Sequence, residues 1–412
     1  MAPDDRSGQD GIVKARASRR GPVRALAFAR LLSVLGGTAA FVALTLDVYR
    51  RTGSDVWLAV TMLLTIGLGG VLSPLLGHFG DRFPRRRVMI ASDVVAATLF
   101  LVLASVLGDL ALVLPLAFLA AVAELPMLSA SGAAIPNLAA EEDLSWANGL
   151  MLLSEALAVM VGPAIGGFLA DAWGAGPVLV VNAASFLVSA AIVATVRGRF
   201  ESDGEDDEAG EFAGAAAGIR FLWRDRRLLL VVLASSVIWF GAGVGLPADV
   251  RLAALFDPAG GGLAYGLIIG SGGFGGVVGA IASRRLSEST ELAAFAIAPL
   301  AIGAALILVG LSPWLLGVLA AVSVAGAGDA ITEVAATGVV QRRAPDQVRS
   351  RVLGAMNGMQ ATFYATSFVM AGFVLEAIGP RLTFMVAGAL ILPAAPIVIA
   401  AAGGRRGRRS QP

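Results

Sequence analysis

Five charged side chains stand inside stretches that are otherwise apolar: Arg30, Glu124, Glu155, Asp329 and Glu333. A charge placed mid-bilayer costs roughly 2.5–3.5 kcal/mol on insertion scales, so it is kept for a partner or a task. Two chemistries are open to this set. A desolvated carboxylate can take up and give back a proton, with Glu155 and Glu333 foremost and Glu124 and Asp329 behind them. Alternatively, Arg30 is tied permanently to Glu124 or Glu155 and the charges are structural. Asp93 and Asp171 lie near the ends of their apolar stretches and read as interfacial or helix-capping groups. Trp239, Phe240, Phe363 and Tyr364 offer aromatic faces either to an amphipathic ligand in a cavity or to lipid and neighbouring helices.

Other chemistries are missing. The chain has no Cys and one His, His78 in a basic loop, which excludes disulfides and thiolate chemistry and leaves no set for a His-ligated metal or a Ser/His/Asp nucleophile. No Gly-x-x-x-x-Gly-Lys-Ser/Thr loop is present. The Gly-rich run Gly270–Gly276 lies in an apolar stretch, where close helix packing accounts for it.

The elements that must carry these residues are long apolar helices. Of 412 residues 57% are hydrophobic and only 15% charged, with a mean hydropathy of +0.79; an ordinary soluble domain carries about 25% charge. A bilayer core needs roughly 20 apolar residues as helix. Stretches of that length recur at 23–47, 56–79, 88–107, 110–132, 146–170, 176–196, 228–250, 262–283, 291–311, 313–336, 352–376 and 381–402. The fold class is therefore all-α integral membrane, with twelve transmembrane helices expected. Arg side chains crowd the two tails and the segments 82–87, 197–227, 284–285 and 342–351, while the opposite loops hold Arg50, Arg51, Arg251 and Arg381. The positive-inside rule then places both termini in the cytoplasm and makes the Arg clusters topogenic rather than nucleic-acid-binding.

The domain expectation is a disordered tail over 1–22, six-helix bundles over 23–196 and 228–402, a linker over 197–227 and a basic tail over 403–412. The linker is acidic from Glu201 to Glu208, and Glu211 to Arg227 reads as an amphipathic surface helix. The halves match at an offset of 209: Glu124 with Glu333, Pro136 with Pro345, Leu144 with Leu353, Asn148-Gly149 with Asn357-Gly358. Glu155 maps to Tyr364 on the same offset. Repeated six-helix halves with a ligand site between them are a transporter architecture.

Three passages carry a family resemblance. The loop Gly77-His78-Phe79-Gly80-Asp81-Arg82-Phe83-Pro84-Arg85-Arg86-Arg87 resembles the loop 2–3 signature of the major facilitator superfamily, with Pro84 a departure. The resemblance implies a gating loop of Gly77, Asp81, Arg82, Arg85 and Arg86, in which Asp81 meets an Arg or a helix N-terminus and latches the inner face shut. The topogenic reading of the four Arg needs no Asp81. The run Gly162-Pro163-Ala164-Ile165-Gly166-Gly167 resembles the Gly-Pro-x-x-Gly-Gly element of exporters and antiporters in that superfamily, with Ala158 where the family element has its first Gly. The passages from Ile135 to Leu150 and from Gln341 to Val352 resemble the branch of enterobactin exporters and macrolide-efflux-like permeases.

The resemblance implies a cavity lined by spans 1, 4, 7 and 10, and export of a small amphipathic molecule (a drug, an antibiotic or a siderophore-like metabolite) by proton antiport. An importer or facilitator on the same fold and a non-transporting membrane sensor are the competing expectations. The chain is expected to act as a monomer in the cell membrane. Its partners would be a small-molecule substrate, protons and lipid, with no nucleic acid, no metal and no cofactor beyond the proton gradient.

Overall fold

The computed structural model describes residues 6–72, 83–198, 200, 211–257 and 261–403. Secondary structure among them is helical. Lipid offers the backbone no partner, and a helix satisfies its own N–H and C=O groups. The first half holds α1 (Arg6–Thr52), α2 (Asp55–Met62, continuing through a π turn at Leu63–Gly67), α3 (Arg85–Ser105), α4 (Leu110–Leu138), α5 (Leu144–Trp173) and α6 (Ala175–Thr195). A short α7 (Glu211–Arg224) follows. The second half holds α8 (Arg226–Gly245), α9 (Ala248–Phe256), α10 (Gly262–Ser283), α11 (Glu288–Leu311), α12 (Leu315–Arg343), α13 (Asp346–Ile391) and α14 (Ala394–Gly403).

Among the described residues, eleven segments are long and apolar enough to cross a membrane. The last runs from Arg351 to Ile399, 49 residues, far more than the roughly 20 one crossing uses. It is broken at Gly379, where φ is 75° and ψ 171°. Left-handed glycines also turn the chain at Gly53, Gly174 and Gly261. The four turns fall at the first and fifth connections of each half, where a side chain would strain the backbone.

Helix starts are capped by local polar groups. Asp109 accepts from the Ala111 N–H at 3.0 Å, and Ser287 with Thr290 forms a capping box. Two segments depart from expectation. Residues 6–22, expected as a disordered tail, continue α1, since extending a formed helix costs far less than nucleating one. Span 228–250 is two helices, because Pro247 lacks the N–H that would continue α8. α7 occupies most of the expected amphipathic segment and ends at Arg224, because Asp225 caps α8 instead, accepting from the N–H of Arg227 and Leu228. Large apolar side chains such as Leu119, Val188, Ile297 and Phe373 point outward, as a lipid-facing surface requires.

The halves meet along two seams. At one, a Cβ on Gly372 of α13 would stand 2.8 Å from Val56 Cα of α2, and Gly67 approaches Ala365 and Phe368. At the other, α5 and α10 touch backbone to backbone: Gly266 lies against Pro163 and Ala164, Gly270 against Met160, and Gly262 against Gly167. Small residues let the helices approach this closely.

Candidate functional site

Beyond Met160, α5 and α10 part. Between them opens a cavity of about 760 Å³ that runs from Asp249 and Phe384 past Gly149 and Ile281 to Arg284. Its wall comes from α5, α8, α10 and α12, with one residue from α9 and two each from α11 and α13. Spans 7 and 10 line it as expected. Spans 1 and 4 are replaced by 5 and 8, where α10 brings the small residues Gly272, Gly273 and Gly276 to the wall. The surface is mostly apolar with a few polar groups, the usual make-up of a site for an amphipathic ligand.

Three carboxylates line it: Glu155, Asp249 and Asp329. Glu155 is half-exposed and accepts from Arg30 Nη2 at 2.7 Å. Arg30 also donates to Ser131 Oγ at 2.9 Å and to the Leu128 carbonyl at 3.2 Å. Of the two partners offered by the sequence, Arg30 takes Glu155, which ties α1 to α5. Asp249 is 7% exposed, and its Oδ1 has no hydrogen-bond partner. Tyr265, fully buried, leaves its hydroxyl without a closed hydrogen bond near Asp249 and Thr45. Asp249 escaped the sequence reading because it lies at the end of span 228–250; its charge inside that span was the available signal.

Asp329 and Glu333 are one turn apart on α12, yet they open to different spaces. Asp329 faces the cavity, whereas Glu333 lines a separate pocket of about 380 Å³ with the ion-paired Glu291 and Arg342. Gln360 Nε2 donates to Glu333 at 3.2 Å. Glu124 joins neither space; its Oε2 lies against Gly37 of α1.

Of the four aromatic residues, Trp239 and Tyr364 line the cavity and meet edge to face at 5.1 Å. Glu155 and Tyr364, related by the offset of 209, thus face one cavity from opposite halves. Phe240 and Phe363 do not line it; they pack on each other at 6.4 Å, because residues adjacent on a helix point about 100° apart.

The Gly162–Gly167 element carries two contact stripes. Gly162 and Gly166 face α1 at Leu35, Thr38 and Ala39, while Pro163 and Gly167 face α10. In the loop after span 2, Gly77, His78, Asp81 and Arg82 lie outside the described residues. Arg85 donates to the carbonyls of Ala133 (3.0 Å) and Phe200 (3.2 Å), and Arg86 to that of Ala194. Ala133 and Ala194 belong to the first half, and Phe200 to the segment that follows it.

Asp93 is not interfacial. It is 1% exposed inside the first bundle, with α4 and α6 closing over it. Asp171 does cap a helix, but one in the other half: it accepts from the backbone N–H of Gly262 and Leu263, and Arg50 pairs with it. Nearby, Arg251 Nη1 lies 2.6 Å from Asp55 Oδ2, again joining the two halves. Sequence reasoning missed this pair, which is separated by 196 positions.

A family model for the major facilitator superfamily matches residues 26–366. The chain is 28% identical over 407 residues to the multidrug efflux pump Tap of Mycobacterium tuberculosis, covering 92% of each. It is 27% identical to the uncharacterized transporter YfiS of Bacillus subtilis, covering 85% of each. Among solved structures, a bacterial homolog of the lysosomal transporter Spinster, inward-facing and unoccupied, superposes with a TM-score of 0.71 at 15% identity, covering 96% of this chain and 99% of that one. The nucleoside transporter NupG superposes with a TM-score of 0.73 at 12% identity, covering 93% of this chain and 99% of that one. Helices that cross the membrane many times, a cavity between two halves and a family match over most of the sequence agree: this chain belongs to the major facilitator superfamily and is a multi-pass membrane transporter.

Proposed function

We propose that the protein exports a small amphipathic molecule (a drug, antibiotic or siderophore-like metabolite) in exchange for protons by alternating access. The observation that carries this reading is the cavity between the halves, sealed at the Asp55–Arg251 and Asp171–Gly262 end and open toward Arg284. The break at Gly379 divides the last segment into two crossings, giving twelve. An even count puts both termini on the Arg-rich side, the cytoplasm by the positive-inside rule. The cavity then faces inward, ready to load an exporter, and the bundles 23–196 and 228–402 rock about it with 197–227 as their tether. The naming of the Tap relatives as multidrug efflux pumps supports the direction.

Glu155 and Asp329 bring ionisable oxygen atoms to the wall where an amphipathic ligand would sit. Competition between ligand and proton for one carboxylate couples their movements. Glu333 and Glu124 stand off the cavity and would act at one remove. In the outward-open state Asp81, with Arg82, Arg85 and Arg86, would latch the inner face shut, and the Gly162–Gly167 seam would slide as the halves rock.

Export of fluorescent drugs from expressing cells, with and without a protonophore, tests the reading. Protonophore-sensitive export that Asp329→Asn or Glu155→Gln abolishes is expected. Export that survives collapse of the gradient would overturn proton antiport, and substrate accumulation in right-side-out vesicles would favour an importer.

A further inference from the structure

The linker helix α7 presents three sides with three kinds of residue, and substrate transport uses none of them. Successive residues of a helix turn by about 100°. Gly218 and Leu222 therefore fall on one side, Ile219 and Trp223 on the next, and Arg220 and Arg224 on the third. The first side is packed. Gly218 lies against the backbone of Arg351 and Val352 at the start of α13, so closely that a Cβ would collide with the Arg351 carbonyl. Leu222 is 1% exposed and shares one apolar cluster with Leu228 of α8 and Val352 of α13. The other two sides are open: Ile219 is 47% exposed and Trp223 68%, and Arg220 and Arg224 are exposed beside them.

Charge and position say what covers the open sides. Arg220, Arg224, Arg226 and Arg351 are exposed and make no ion pair with a described residue. Asp225 alone separates α7 from α8, and the next membrane-spanning segment begins at Arg226. Ile219 and Trp223 therefore stand at the bilayer boundary, where Trp rings are enriched. An apolar stripe beside a basic one is the arrangement of a helix lying in the interface, with its apolar side toward the acyl chains and its basic side at the headgroups. The acidic run Glu201 to Glu208 lies outside the described residues. It offers charge to the Arg side but holds no apolar side chain to cover Ile219 and Trp223. A lipid surface of negative charge meets both sides at once.

We propose that α7 is a docking site for anionic lipid headgroups of the leaflet it faces. Ile219 and Trp223 enter the acyl boundary, and Arg220 and Arg224 take headgroup phosphates. A zwitterionic surface satisfies the apolar side alone, whereas the guanidinium groups select net negative charge. The docked helix is not a free anchor. Gly218 and Leu222 hold it on α13, the helix that brings Tyr364 to the cavity and Gly372 to the α2 seam. The grip of the lipid surface therefore falls on the second bundle.

The test uses full-length protein in nanodiscs of phosphatidylcholine, alone or mixed with phosphatidylglycerol. The chain has no Cys, so Ile219→Cys and Trp223→Cys each carry a single spin label. Leu119→Cys, on the outward side of α4, supplies the lipid reference. Power saturation compares relaxation by oxygen, which concentrates in lipid, with relaxation by a nickel chelate, which stays in water. In the mixed discs both α7 labels are expected to be reached by oxygen and shielded from nickel, as the reference is. In phosphatidylcholine alone, or in mixed discs with Arg220→Gln/Arg224→Gln, they are expected to return toward water. At about 1 kcal/mol per Arg near an anionic surface, loss of the pair shifts docking about 30-fold. Labels open to nickel in both lipids would overturn the proposal. Equal immersion with and without phosphatidylglycerol would overturn recognition of anionic lipid, leaving an apolar contact blind to charge. Shielding from both reagents would assign the face to protein, the acidic run or a second copy, and would overturn it likewise. The discs carry the same lipid on both faces and no transport is needed, so the outcome is independent of the export assay.

Discussion

Asp171, in the last turn of α5, accepts hydrogen bonds from the backbone N–H groups of Leu263 at 2.9 Å and Gly262 at 3.2 Å, so a side chain of one half caps the first turn of α10 in the other. The four leading N–H groups of a helix lack internal partners, and here two of them are met by Asp171 only while the halves are together. Asp171 is therefore a conformational lock as well as a cap. Arg50 pairs with the same carboxylate and holds it in place.

Asp171→Ala is expected to shift the population away from the sealed arrangement. A capping carboxylate contributes about 1 kcal/mol, roughly five-fold in the closed-to-open ratio. The chain has no Cys, so spin labels can be placed at will. Distances between labels at the α5 and α10 ends should broaden toward longer values in the variant. An unchanged distribution would remove Asp171 from the seal.

Arg251 and Asp55 form the second tie across the seam. Asp55 is 5% exposed, and its Oδ1 has no other partner. Arg251→Gln strands a buried carboxylate and is expected to cost about 1–3 kcal/mol, below the 3–5 typical of a fully buried pair because Arg251 reaches solvent. The double variant Asp55→Asn/Arg251→Gln should recover part of that loss. A thermal-unfolding double-mutant cycle with no coupling would show that the pair is incidental.

Gly266 tests the glycine seam. A Cβ there would collide with the Pro163 carbonyl and lie 2.7 Å from Ala164 Cα, whereas a Cβ at Gly132 of α4, away from the cavity, meets nothing within 4 Å. Gly266→Ala is expected to prevent full sealing and to reduce transport severalfold, with expression retained. Gly132→Ala should transport near the wild-type rate. Equal transport by the two variants would mean that the seam tolerates more separation than its packing indicates.

Asp225 gives a pH signature outside the membrane. Partial burial pushes its pKa up, but the Arg343 guanidinium at 2.5 Å and the N–H groups of Leu228 and Arg227 outweigh this and hold it below the ordinary value of 3.8. A carboxylate lowered on folding stabilises the fold above its unfolded pKa and loses that contribution as pH falls through the folded one. Wild type should therefore lose more stability than Asp225→Asn below about pH 4. Parallel acid melts of the two proteins would contradict the assignment.

The sequence alone determined that the chain is a bundle of long apolar helices, where most of them run, and that the basic loops alternate with neutral ones. It also gave the offset of 209 that brings Glu155 and Tyr364 to one cavity. These features are legible because hydropathy over some 20 residues is a local property and lipid leaves the backbone no option but helix. The tertiary structure decided which side of each helix faces what. It separated Trp239 from Phe240, sent Asp329 and Glu333 to different spaces, and joined Arg251 to Asp55. It also exposed Asp249 to the cavity and buried Asp93. In water an amphipathic stripe announces the inward face of a helix. In lipid both faces are apolar, so rotation is set by the fit of small residues and a few polar contacts between helices far apart in sequence, and those exist only once the bundle is assembled.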